Sequence, residues 1–140
     1  MINQNLDNLV KIGQLQTAPF VEIKAMRMLG IAHKRLLDSE IEEASIVGRF
    51  TFAYKAAHSA ALTALRWHGF RSENKLMTFH CLSDTLAWPA SKLGVFDSAH
   101  QKISLAENEG YLEIEESTIK ELRDLTSSLI KDVEKLVQTP

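Results

Sequence analysis

Apolar residues recur along most of the chain at the three- and four-residue spacing of helices. Leu6, Leu9 and Val10 predict a short helix over residues 3–12, stopped at Gly13, and Thr17-Ala18-Pro19 then interrupts the chain. A second helix is predicted from about Phe20 to Ile41. Val21, Ala25, Met28, Leu29, Ala32 and Leu36 form its apolar stripe, and Lys24, Arg27, Lys34, Arg35 and Asp38 fall mostly off it. Gly30 lies inside that helix at a cost of about 1 kcal/mol relative to alanine, which a close helix crossing would explain.

The third helix, from about Ser45 to His68, is the most distinctive. Phe50, Ala53, Tyr54, Ala57, Ala60, Ala61, Ala64 and Leu65 share a face, and Ala56, Leu62 and Trp67 make much of the remainder apolar. A helix apolar nearly all round is expected to be central and buried, and its alanines admit close neighbours. Gly69 follows as the C′ residue. Residues 74–87 predict a fourth helix with Leu76, Met77, His80 and Leu86 as inward positions, ended by Trp88-Pro89. A turn over 91–94 and a fifth helix from about Val95 to Glu107 follow, with Gly110 beyond its end. Leu112-Glu113-Ile114-Glu115 is expected as a loop that tucks Leu112 and Ile114 into the core. A last helix from about Thr118 to Val137, capped by Ser117, completes the pattern. The expected fold class is all-α: one domain over residues 1–140, an up-and-down bundle of about five to six helices joined by short loops.

Length suits a single core, and 45% hydrophobic with 24% charged residues is ordinary for a globular chain. A net charge of −2 gives no overall basic field for nucleic acid. No apolar run is long enough to span a bilayer, and Met1-Ile2-Asn3-Gln4-Asn5 lacks the features of a secretory signal. With one cysteine, Cys81, no internal disulfide forms, and a cytoplasmic location is the expectation.

Motifs with chemistry are sparse. The histidines His58, His68, His80 and His100 are never three or four residues apart, and no phosphate-loop glycine pattern occurs, so no metal and no cofactor are expected. His80-Cys81 are neighbours on one helix and point about 100° apart, so Cys81 reads as a small buried hydrophobe. His58 lies near Tyr54 and Lys55, either as a hydrogen-bonded core histidine or as part of a polar cluster with Arg49 one turn below Tyr54.

Arg49-Phe50-Thr51-Phe52-Ala53-Tyr54-Lys55-Ala56-Ala57 resembles the R-F-x-x-A-Y-K-A segment of some HEPN-domain proteins. Ala61-Leu62-Thr63-Ala64-Leu65-Arg66-Trp67-His68-Gly69-Phe70-Arg71 resembles its A-L-x-A-L-R-x-x-G-[YF]-R continuation. The resemblance runs more loosely through Glu107-Asn108-Glu109-Gly110 to the last helix. It implies a helical bundle, often dimeric. Many such proteins are RNA-cleaving toxins, and others accompany small nucleotidyltransferases in toxin–antitoxin or defence pairs. The ribonuclease members carry an arginine, usually followed by a polar residue, and a histidine four to six residues beyond it. Here Ile103 and Ser104 stand at that arginine and polar position, Glu107 and Asn108 follow, and no histidine comes after them. Arg27 and His33 have the family's spacing, but Met28 rather than a polar residue follows the arginine.

The resemblance together with the degenerate motif implies a non-catalytic HEPN-like domain that acts by association. It would form a homodimer, hold a nucleotidyltransferase partner, or bind a nucleotide or RNA through Arg49, Tyr54, Lys55 and Arg71. One alternative is a structural or regulatory bundle with no nucleic-acid role. Another is an active ribonuclease toxin whose displaced centre uses Arg49, His58 or His100.

Overall fold

The computed structural model describes residues 4–110 and 113–138. Asn3, the expected start of the first helix, Leu112, an expected core anchor, and Met1 and Ile2 of the N-terminal reading lie outside them. Seven helical segments and one two-residue strand pair make up the regular structure of those residues: α1 Gln4–Lys11, β1 Gln16–Thr17, α2 Glu22–Asp38, α3 Ile46–Trp67, β2 Phe70–Arg71, α4 Lys75–His80, α5 Leu82–Thr85, α6 Ala90–Glu109 and α7 Glu116–Val137. The chain is an all-α bundle, and no described helix is long and apolar enough to cross a membrane.

α3 is the central helix. Ser45 caps it by accepting from the Gly48 amide, and Gly69 leaves it at φ +93°, where glycine is unstrained. Ala53, Ala56, Ala57, Ala60, Ala61 and Ala64 are all essentially inaccessible to solvent. With only a methyl to accommodate at each, α2 and α7 pack along α3 more extensively than any other pair of elements. The side chains fix the directions. The Ser59 hydroxyl donates to the Met28 carbonyl and the Arg49 Nε to the Ser39 carbonyl, so α2 and α3 are antiparallel. Arg123 bonds Glu40 while His33 meets Glu134, so α7 runs against α2 and along α3. The main core adds Leu29, Phe79, Leu82, Phe96, Leu122, Leu129 and Val133. Burying each large apolar side chain contributes roughly 1.5–3 kcal/mol. A second cluster of Leu6, Leu15, Leu65, Phe70 and Cys81 fastens α1 to the far end of α3, next to the antiparallel pairing of β1 with β2.

Several boundaries differ from the sequence pattern. α2 is shorter at both ends. Gly30 is exposed and a Cβ there would meet nothing within 4 Å, so among the described residues no helix crosses closely at it. The expected fourth helix is two short ones that meet at Cys81, where the Ser83 hydroxyl donates to the His80 carbonyl and competes for the helix ladder. Phe79, not His80, is the inward residue, and His80 is exposed and bonded to Asp97. The expected turn over 91–94 is the start of α6: Pro89 sets the entry with φ −73°, and burial of Leu93 one turn in draws Gly94 into the helix. Ala87 takes a left-handed φ of 57° to make the corner before Trp88. Ser117 does not cap α7, which starts at Glu116 after Glu115. Ile114 packs against the core as expected.

The alanine surface of α3 has no room to spare. Ala57→Leu is expected to destabilise the fold by about 1–3 kcal/mol through overpacking between helices, measured as a lower urea midpoint with an unchanged slope.

Candidate functional site

Two of the residues singled out from the sequence meet. The Tyr54 hydroxyl and His100 Nδ1 are 2.8 Å apart, joining α3 to α6. Tyr54 is almost fully buried because α3 turns that face inward beneath Phe79, whose ring lies 5.6 Å away. Burial, reinforced by the negative charge of Glu107, pushes the phenol up to about 12, so it remains protonated at any ordinary pH. With the phenol donating, Nδ1 is the acceptor and neutral His100 carries its proton on Nε2. His58, one turn beyond Tyr54, packs edge-on against the same Phe79 at 5.9 Å. Its surroundings are apolar, and burial, together with the nearby Lys75 charge, lowers its pKa to about 4. Phe79 stacks on Phe96 at 4.8 Å, and Phe96 stacks on Trp88, whose indole N–H donates to Asp132 at 2.8 Å. An aromatic column therefore ties α3, α4, α6 and α7 together around the Tyr54–His100 bond.

This arrangement can hold one imidazole in a fixed tautomer. Around it, α6 supplies no positive charge from the next turn. Ile103 packs against the main core, Ser104 is half-buried, and Glu107 and Asn108 are exposed on the last turns of α6. Lys102 reaches back to Ser98 at 2.8 Å. Among the described residues no group of three or more metal-ligating side chains occurs.

The proposed ligand residues do not converge. Arg49 sits in the first turn of α3, bonded to Ser39 and, at 2.8 Å, to Glu116. Lys55 is exposed on α3, and Arg71 is exposed in β2 beyond the other end of that helix, about 33 Å away along a 22-residue axis. Tyr54 spends its hydroxyl on His100. Cys81 is buried, and burial with the Asp84 charge pushes its thiol up to about 11, as fits a small hydrophobe. Three features were not visible in the spacing of residues: the Tyr54–His100 bond across 46 positions, the Arg49–Glu116 and Arg123–Glu40 pairs, and a row of exposed apolar residues on α2.

No family model, no curated protein and no solved structure matches the chain.

His58 gives the cluster a pH dependence with a definite sign. Its folded value near 4 lies below the ordinary 6.5, so the unfolded chain binds the proton more tightly. The stability gained by burying neutral His58 is complete above about pH 6.5 and is lost as pH falls toward 4. Urea unfolding between pH 7 and 4.5 should show stability falling with pH, and His58→Gln should remove a share of that slope amounting to no more than about 3 kcal/mol over the range. An unchanged slope in the variant would mean that His58 is not the group responsible.

Proposed function

We propose that the chain is a non-catalytic, HEPN-like helical domain that acts by association, and that its contact surface is the outer face of α2, taken up by a second copy of the chain. The observation that carries this reading is a row of large apolar side chains on that face. Ile23, Met26, Ile31 and Leu37 are each between 52% and 62% exposed, and Ile41 continues the row just past the helix. Single exposed apolar residues are unremarkable on any surface, whereas four on the outer face of one helix mark a contact.

The row is self-complementary. Ile23, Gly30 and Leu37 recur every seven residues and so lie on one line of the helix surface. Ile23 and Leu37 are equidistant from Gly30. A second α2 laid antiparallel across Gly30 sets Ile23 of each copy against Leu37 of the other, the reciprocity a two-fold contact requires. Gly30, open to the outside, lets the two backbones approach at the crossing. The close crossing that the sequence suggested at Gly30 is then intermolecular. Ile103 adds a second support. It stands where the ribonuclease members of the resembled family carry arginine, and here it is partly buried against the apolar core.

Arg27 and Lys34 lie on the same face, between Ile31 and the line of Ile23, Gly30 and Leu37, so two copies bring like charges near each other within the contact. Size-exclusion chromatography with light scattering should give twice the 15.7 kDa of one chain, with the dimer tightening as salt screens these charges. Leu37→Glu should return it to a monomer with unchanged helicity. A wild-type monomer at all salt concentrations and at high protein concentration would sink the proposal and leave the row to a partner with an acidic rim.

A further inference from the structure

We infer that the seam between α6 and α7 is a binding site for a dipeptide-sized zwitterion, its carboxylate taken by Lys92 and its ammonium by Glu121. The two helices are antiparallel. Trp88, just before α6, donates to Asp132 late in α7, and Lys102 late in α6 lines the same recess as Thr118 at the start of α7. The groove between them has a volume of about 650 Å³. That falls in the range of small-molecule sites, roughly 300–1,000 Å³. Val95 and Leu125 supply apolar surface, and Lys92, Glu121, Ser91 and Ser128 are among its polar groups. At Val95 and Glu121, which line both, the groove adjoins a narrower recess of about 30 Å³ walled by the buried Phe50, Ala99 and Leu122. That recess has room for about one water or one methyl group. The inference stands independently of the α2 contact, which lies on another helix.

Lys120 and Asp124 also border the groove, but they are paired with each other and need no ligand. Lys92 and Glu121 are different. Among the described residues no ion pair engages either of them. The Lys92 ammonium is instead positioned 4.8 Å over the Trp88 ring. Trp88 is itself buried, stacked on Phe96 and bonded to Asp132, so the platform beneath that charge is rigid. A cation held on an aromatic face keeps its outward hydrogens for a carboxylate and loses little freedom in donating them. Ser91 and Ser128 in the same groove have hydroxyls to add. Glu121 shares the recess with Val95, three residues after Lys92. It therefore lies about one turn, ~5 Å, along the seam from Lys92. The groove thus presents opposite charges at a spacing close to the ~7 Å that an extended dipeptide spans. The recess beside Glu121 suits a small branched side chain on the residue that carries the ammonium.

As plain surface, Lys92 and Glu121 are two solvated charges with no ligand. The two readings differ in whether binding requires both ends of a peptide. Amide shifts of residues 91–98 and 117–128 are followed while the intact chain is titrated with the dipeptide Val-Ala, with its N-acetyl and C-amide forms, and with Gly-Ala. Saturable shifts are expected with Val-Ala. Capping either end should weaken apparent Kd by about three- to ten-fold, the loss of one charge-assisted contact at a wet site. Gly-Ala should bind about three-fold or more weakly, because it leaves the recess empty. Lys92→Gln should erase the difference between Val-Ala and its amide while keeping that between Val-Ala and its acetyl form. Glu121→Gln should do the reverse. Both side chains are exposed, so both variants should melt close to the parent chain. No saturable shift below about 10 mM, equal binding of the capped forms or of Gly-Ala, or capping effects that survive in both variants would each overturn the inference.

Discussion

Close approach of α2 and α7 to the alanine surface of α3 is the packing on which everything else in this bundle depends. Six alanines with no accessible surface let three long helices share a narrow interior, and larger groups are relegated to its ends and edges. Phe79, Phe96 and Trp88 fill one edge and bring α4 and α6 into the bundle. Leu6, Leu65 and Phe70 fill one end and hold α1. α2 meets α3 through Ala25, Leu29 and Ala32, with Leu36 packed against the same core, and these fill its inner face. Ile23, Met26, Ile31 and Leu37 are left outside, and that surplus is the basis for the proposed association.

The candidate chemistry follows from the same packing. Tyr54 is on the buried face of α3 because its neighbours at helical spacing are core residues, and a buried phenol must find a partner. It finds His100 on α6. The resulting bond ties down α6, whose C-terminal half is otherwise half-buried or exposed, and it orients the imidazole. A fixed imidazole becomes a catalyst only beside a nucleophile or a charge to stabilise. The next turn of α6 offers Ile103, so the pair acts as a structural clamp in the proposed function.

The long helices were legible because apolar residues at helical spacing are read locally. α3 and α7 come within two residues of their expected ends, and α3 was marked as central because it is apolar nearly all round. What depended on contacts across the chain was hidden. The pairing of Gln16–Thr17 with Phe70–Arg71 rests on two residues at each strand, too few to leave a pattern. The join at Cys81 and the start of α6 at Pro89 were set by a local hydroxyl and by the burial of Leu93. Arg49, Tyr54, Lys55 and Arg71 were grouped by closeness in sequence and by resemblance. A helix turns residues five or six apart onto different faces, and the bundle sends these four to an interhelix ion pair, a core, an open flank and the opposite end. Gly30 looked like a crossing within the chain, but its surroundings are empty. A glycine in open space on an apolar face is what turned attention to the outside of α2.

Cysteine crosslinking at the proposed two-fold tests the central claim most directly. Gly30→Cys in a Cys81→Ala background places one thiol at the crossing point, and Ile12→Cys in the same background places one on an exposed site outside α2. Under mild oxidation of dilute protein, the account predicts rapid disulfide-linked dimers from Gly30→Cys and only slow, concentration-driven linkage from Ile12→Cys. Equal and slow linkage of both variants would contradict a two-fold contact across Gly30.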